Sequence, residues 1–135
     1  VTLDTLPSFD FAVERGDSVT IELGPVATRD RDGVEQPVDL TLAGTKMWLT
    51  VKASHDDPDP GLVQLTEASG ITLNSPATAA KNYATAFIGE DVFDDPAAYA
   101  KRTILVWDAV LEQGTRHERI ARGKLIVVPS ATRAT

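Results

Sequence analysis

The feature that most constrains this chain is an alternation of apolar and polar residues with a period of two, broken into short runs by Gly, Pro and Asp clusters. Successive side chains of a strand point to opposite faces, so each run describes a strand with one face against a core. Phe9, Phe11 and Val13 alternate with Asp10, Ala12 and Glu14 before Arg15-Gly16-Asp17 turns the chain. Val19, Ile21 and Leu23 then oppose Ser18, Thr20 and Glu22. In residues 45–53, Met47, Leu49 and Val51 face one way, with Lys46, Trp48, Thr50 and Lys52 on the other side. Shorter runs at 62–66 and 71–73 are joined through Ser69-Gly70, and residues 82–88 form another strand.

The last two runs are the clearest. Residues 103–111 are apolar on both faces except at Asp108, which predicts a central strand. In residues 119–128, Ala121, Leu125 and Val127 face the core while Arg122 and Lys124 face solvent, and Pro129 ends the run. Gln113-Gly114 lies between these strands and predicts a hairpin with a longer loop. Residues 28–36, with Asp30-Arg31-Asp32-Gly33, carry turn chemistry and read as an exposed loop. Residues 55–61 hold Pro58 and Pro60 among Asp56, Asp57 and Asp59, and they cannot continue a sheet. Helix is confined to a turn within 90–100, where Asp94 or Asp95 offers an N-cap and Pro96 a first-turn residue.

Seven to eight short strands with so little helix predict an all-β fold, an antiparallel β-sandwich of immunoglobulin-like type. A length of 135 residues supports one such domain, with residues 1–8 as an N-terminal arm and 130–135 as a flexible tail. Asp4 and Asp10 stand where a secretory signal would need a basic and then an apolar region. No apolar run reaches the roughly 18 to 20 residues of a membrane-spanning helix, so no membrane partner is expected.

Thirteen Lys and Arg face twenty Asp and Glu, a net charge of −7, and the one basic cluster is modest: Arg116, Arg119, Arg122 and Lys124. Nucleic acid needs a more concentrated positive field, so none is expected as a partner. Without cysteine, thiolate metal sites, disulfides and a cysteine nucleophile are excluded. Asp56, Asp57 and Asp59 crowd hard oxygen ligands into one loop, but the intervening prolines and the position of Gly61 break the spacing of a calcium loop. The cluster of Glu90, Asp91, Asp94 and Asp95 likewise reads as solvated acids. No Gly-x-Ser-x-Gly motif or phosphate-binding glycine loop occurs, and His55 and His117 fall in charged segments. The reading is therefore no enzyme, no cofactor, no metal site and no small-molecule substrate.

Two aromatics separate. Trp107 shares an apolar face with Leu105, Ala109 and Leu111 and belongs to the core, whereas Trp48 lies among Lys46, Thr50 and Lys52. Trp48 either covers an edge of the core or anchors another subunit or a sugar. Candidate contact residues are Trp48, with Asp30 and Asp32 of one loop and His55, Asp57 and Asp59 of the other. Asp108 is either exposed on the outer face with Val106 and Val110 or hydrogen-bonded to a neighbouring loop.

The order of segments adds a further expectation. Asp32-Gly33, Pro37-Val38-Asp39-Leu40-Thr41, Trp48-Leu49-Thr50-Val51-Lys52, the acidic Asp-Pro loop, Ser69-Gly70-Ile71-Thr72, Trp107-Asp108 and Gly123-Lys124-Leu125 follow one another across residues 9–133. This succession resembles the immunoglobulin-like domains of tailed-phage structural proteins, and most closely the N-terminal domain family of the phage baseplate upper protein. Trp107-Asp108 stands where that family usually has Tyr-Asp, and residues 90–102 are longer and contain Pro96. The resemblance implies a virion component of tail or baseplate that links or decorates other phage structural proteins in a symmetric, multi-copy assembly, with no catalytic residues to carry over. A capsid decoration protein and a carbohydrate- or receptor-binding module are the alternatives. Aromatics at 6% and two tryptophans placed in strands weigh against the sugar reading.

Overall fold

The structure is a computed structural model in which residues 9–29, 31–59 and 61–129 are described. It is all-β, and no helix occurs among these residues. Ten strands follow in order: β1 (Phe11–Glu14), β2 (Val19–Leu23), β3 (Ala27–Arg29), β4 (Glu35–Pro37), β5 (Lys46–Lys52), β6 (Val63–Thr66), β7 (Ile71–Leu73), β8 (Ala84–Ile88), β9 (Thr103–Gln113) and β10 (Arg116–Val128). They form a five-stranded sheet in the order β1-β10-β9-β5-β6, a three-stranded sheet β2-β8-β7 and the pair β3-β4. Every pairing is antiparallel except β1 with β10, which is parallel.

The alternation explains the packing. Met47, Leu49 and Val51 of β5, Leu105, Trp107, Ala109 and Leu111 of β9, and Ala121, Leu125 and Val127 of β10 are buried on one face of the larger sheet. Ile21 and Leu23 of β2, Ile71 of β7 and Ala84, Ala86 and Ile88 of β8 come from the smaller sheet and join the same core. Phe93 and Tyr99 close one end of it, edge to face with ring centroids 5.8 Å apart. Burial, and then the Asp95 carboxylate, push the Tyr99 phenol above its ordinary value.

Three local expectations change. Residues 28–36 are not simply a loop: β3 and β4 pair from Ala27↔Pro37 to Arg29↔Glu35 around a turn that includes Asp32 and Gly33. The β4 side chains are all exposed, so this ladder leaves no hydrophobic period to read. Its base is fixed by Val38 N donating to Val26 O (3.0 Å) and Val26 N to Asn82 O (2.9 Å). The β9–β10 connection is a tight two-residue turn rather than a longer loop, since Gln113 pairs with Arg116. Gly114, at φ +61°, supplies the positive angle that the first position of a type II′ turn requires. In residues 94–99 the helical tendency stops at one turn: Asp95 Oδ1 accepts from Ala97 N (2.9 Å) and Asp95 O from Tyr99 N (3.0 Å). The proposed arm at 1–8 and tail at 130–135 lie outside the described residues.

Asp39 fixes the approach to β5. Its Oδ1 accepts from Thr41 Oγ1 (2.6 Å) and Thr41 N (2.8 Å). The Thr41 hydroxyl first, then the Thr41 amide and the nearby Lys81 charge, hold the Asp39 carboxyl below its ordinary value of 3.8. A carboxyl depressed in the folded state stabilises the fold above its unfolded pKa, and that contribution drains away as pH falls through the folded value. Denaturation curves taken from about pH 5 to about pH 2 should therefore show a shallower acid loss in Asp39→Ala than in wild type. Coincident slopes would remove Asp39 from the acid response.

Candidate functional site

The face of the five-stranded sheet turned away from the core is where the polar half of the alternation collects. Cross-strand register lines its residues into rows. Lys46, Glu112 and His117 form one row, and Thr66, Trp48, Val110 and Arg119 the next. Gln64, Thr50, Asp108 and Arg122 follow, then Lys52, Val106 and Lys124. Lys46, Lys52, Arg119, Arg122 and Lys124 thus share one face with only Asp108 and Glu112 as acids among these rows, on a chain whose net charge is −7.

A groove of about 270 Å³ runs across the middle of this face. Thr50 and Lys52 of β5, His55 of the following loop, Val106 and Asp108 of β9, and Arg119 and Arg122 of β10 line it. Arg119 Nε donates to Asp108 Oδ2 at 3.0 Å, and Lys52 Nζ lies 2.9 Å from Asp59 Oδ1. Gln64 Nε2 donates to Thr50 Oγ1 at 3.2 Å. One row away, the half-buried Trp48 ring meets the His117 ring at 6.4 Å, and His117 Nδ1 lies 3.9 Å from Glu112 Oε2. Two of the cations around Val106, Arg119 and Lys52, are thus already paired with acids of the chain itself.

The residues singled out from sequence divide accordingly. His55 lines the groove, Asp59 borders it through Lys52, and Trp48 stands in the adjacent row. Asp57 instead holds its own loop, its Oδ2 accepting from Ser54 N at 3.2 Å. Asp32 sits in the separate β3–β4 hairpin, and Asp30 lies outside the described residues. Asp108 lies on the outer face with Val106 and Val110, half-buried there, and its hydrogen-bond donor is Arg119 of the neighbouring strand rather than a loop.

The sequence groups Arg119 and Arg122 in one basic cluster but does not put them on one face, because a spacing of three places residues on opposite faces of a regular strand. The register of β10 shifts between Arg119 and Ala121, and that bulge turns both guanidinium groups to the same side. No signal in the pattern announces it. Thr50 and Lys52, by contrast, follow directly from sharing the parity of Trp48.

Among the described residues no three acids or imidazoles converge as a metal centre requires, and no helix is long and apolar enough to cross a membrane. Neither the scan of family models nor the search of curated proteins finds a match to this chain.

Proposed function

We propose that this chain is a non-catalytic, immunoglobulin-like β-sandwich that serves as a virion structural protein of a tailed bacteriophage, in the tail or baseplate, linking or decorating other structural proteins. The strand order supports the fold assignment. β2-β8-β7 corresponds to strands B, E and D of such a sandwich and β5, β9 and β10 to C, F and G, with β6 and β1 added at the edges. The observation that carries the functional reading is the outer face of the five-stranded sheet, where Trp48 and five cations gather on an acidic chain. Trp48, Arg119 and Arg122 on this face are of the residue types that protein interfaces enrich.

Cryo-electron microscopy of the particle tests the proposal. Ordered copies in a symmetric tail or baseplate lattice, with the Trp48 face against a neighbour, are the expected result. Copies on the capsid surface would replace it with the decoration reading, and absence from any particle would overturn the structural role. Trp48→Ala should weaken attachment about tenfold or more while leaving the chain folded. Unchanged occupancy with unchanged melting would remove Trp48 from the contact.

A further inference from the structure

We infer that the aliphatic stripe formed by Ala12, Ile126 and Ile104 packs face to face on the same stripe of a second copy, about a two-fold axis running along β10. The inference deepens the assembly reading above and rests on it only for its biological setting.

The stripe lies on the outer face of the five-stranded sheet, at the end away from Trp48. Cross-strand register sets Ala12 beside Ile126 and Ile126 beside Ile104, one row across three adjacent strands. Val106 and Val128 extend it on the same face, two residues along β9 and β10. Their neighbours Leu105 and Val127 point into the core at 2% and 0% exposure, whereas Ile104 is 47% exposed. The other exposed large apolar residues do not gather in this way. Phe9, Val34, Leu42, Leu62 and Val92 lie outside the strands, and Phe87 has Thr20 as its cross-strand neighbour. A contiguous aliphatic row on a sheet face marks a surface that another protein covers.

The flanks of the stripe identify that protein. On the β1 side Glu14 pairs with Val128. On the β9 side Arg102 stands one residue before Thr103, the partner of Val127, which places it across from Val128. Both are exposed, and neither has an ion-pair partner among the described residues. One flank is therefore acidic and the other basic at the same level of the sheet. A two-fold axis along β10 lays β1 of each copy over β9 of the other, so Glu14 meets Arg102 twice while Ile126 meets Ile126. A surface that matches itself in this way makes an isologous contact, which closes at a dimer rather than extending. On the other side of the stripe Lys124 N donates to Asp10 Oδ1 at 3.0 Å, so charge is balanced there too. Trp48 stays free for other partners, because its row neighbour Val110 lies six residues along β9 from Ile104, about 20 Å at the rise of a strand. The contact spans three strands only, so the dimer should be weak.

Sedimentation velocity of the full chain tests this, from about 1 μM to about 1 mM protein. Wild type should pass from monomer to dimer and no further. Ile104→Lys, which alters a side chain on the solvent face, should lower dimer affinity about tenfold or more, with circular dichroism confirming that it is folded. Glu14→Arg and Arg102→Glu should each weaken self-association as well. An equimolar mixture of these two should dimerise as wild type does, because the mixed pair restores both contacts between opposite charges. A wild type that remains monomeric throughout overturns the inference. So does an Ile104→Lys variant that associates unchanged, or a mixture no tighter than its two components. Any of these failures leaves a position in the particle intact, whereas absence from the particle with the dimer preserved would overturn the virion reading alone.

Discussion

Trp107→Ala should cost about 3–5 kcal/mol of folding stability. Trp107 occupies the middle of β9 and is 1% exposed. Its ring lies 5.7 Å from that of Phe11, and its Nε1 donates to Phe9 O at 3.1 Å. Truncation would remove packing from the centre of the core and leave the Phe9 carbonyl without this donor. A domain of ordinary size has only about 5–15 kcal/mol in hand, so the variant should unfold at markedly lower urea. Trp107→Phe separates the two contributions, since it keeps most of the ring and loses the N–H. A loss below about 1 kcal/mol in Trp107→Ala would mean that the indole does not pack as described.

Gly123→Ala should be nearly as damaging, at about 3 kcal/mol, although it adds a single methyl group. The added carbon would land on the carbonyl of Phe9 and within 2.9 Å of Trp107 Nε1. The obstacle is backbone, which cannot swing aside as the end of a flexible side chain can. Either residues 9–14 lift from β10 or β10 itself shifts. Hydrogen exchange should then show loss of protection in β1 with β5 unaffected, and denaturation should give the magnitude. Because Gly123 and Trp107 both act through Phe9, the double variant should cost less than the sum of the two singles. Full additivity, or a Gly123→Ala variant as stable as wild type, would dissociate Gly123 from this crossing.

Why the alternation revealed some of this and hid the rest follows from what a period of two records. It reports which side chains meet the core, so the inward sets of β2, β5, β9 and β10 and the core position of Trp107 could be read directly. It does not report partners. That β1 pairs with β10 in parallel, or that β6 joins one sheet and β7 the other across Ser69-Gly70, depends on contacts distant in sequence. An exposed strand such as β4 carries no such signal, because neither of its faces need be apolar. The groove was hidden for a third reason: a one-residue bulge reverses parity, and the reversal is what sets Arg119 beside Arg122. Asp57 and Asp59 read in sequence as candidate contact residues, whereas the folded loop uses them for Ser54 N and Lys52.

The parallel pairing of β1 with β10 also bears on how this domain carries force. Its ladder runs from Phe11 beside Leu125 to Glu14 beside Val128, with Phe9 N donating to Arg122 O at one end and Arg15 N to Val128 O at the other. The chain therefore arrives at one end of the ladder and departs from the opposite end. Tension between residues 9 and 129 pulls the two strands lengthwise past each other, so their hydrogen bonds bear the load together rather than parting one by one. A domain threaded in this way resists stretching along its own axis more than its few β1 contacts would suggest.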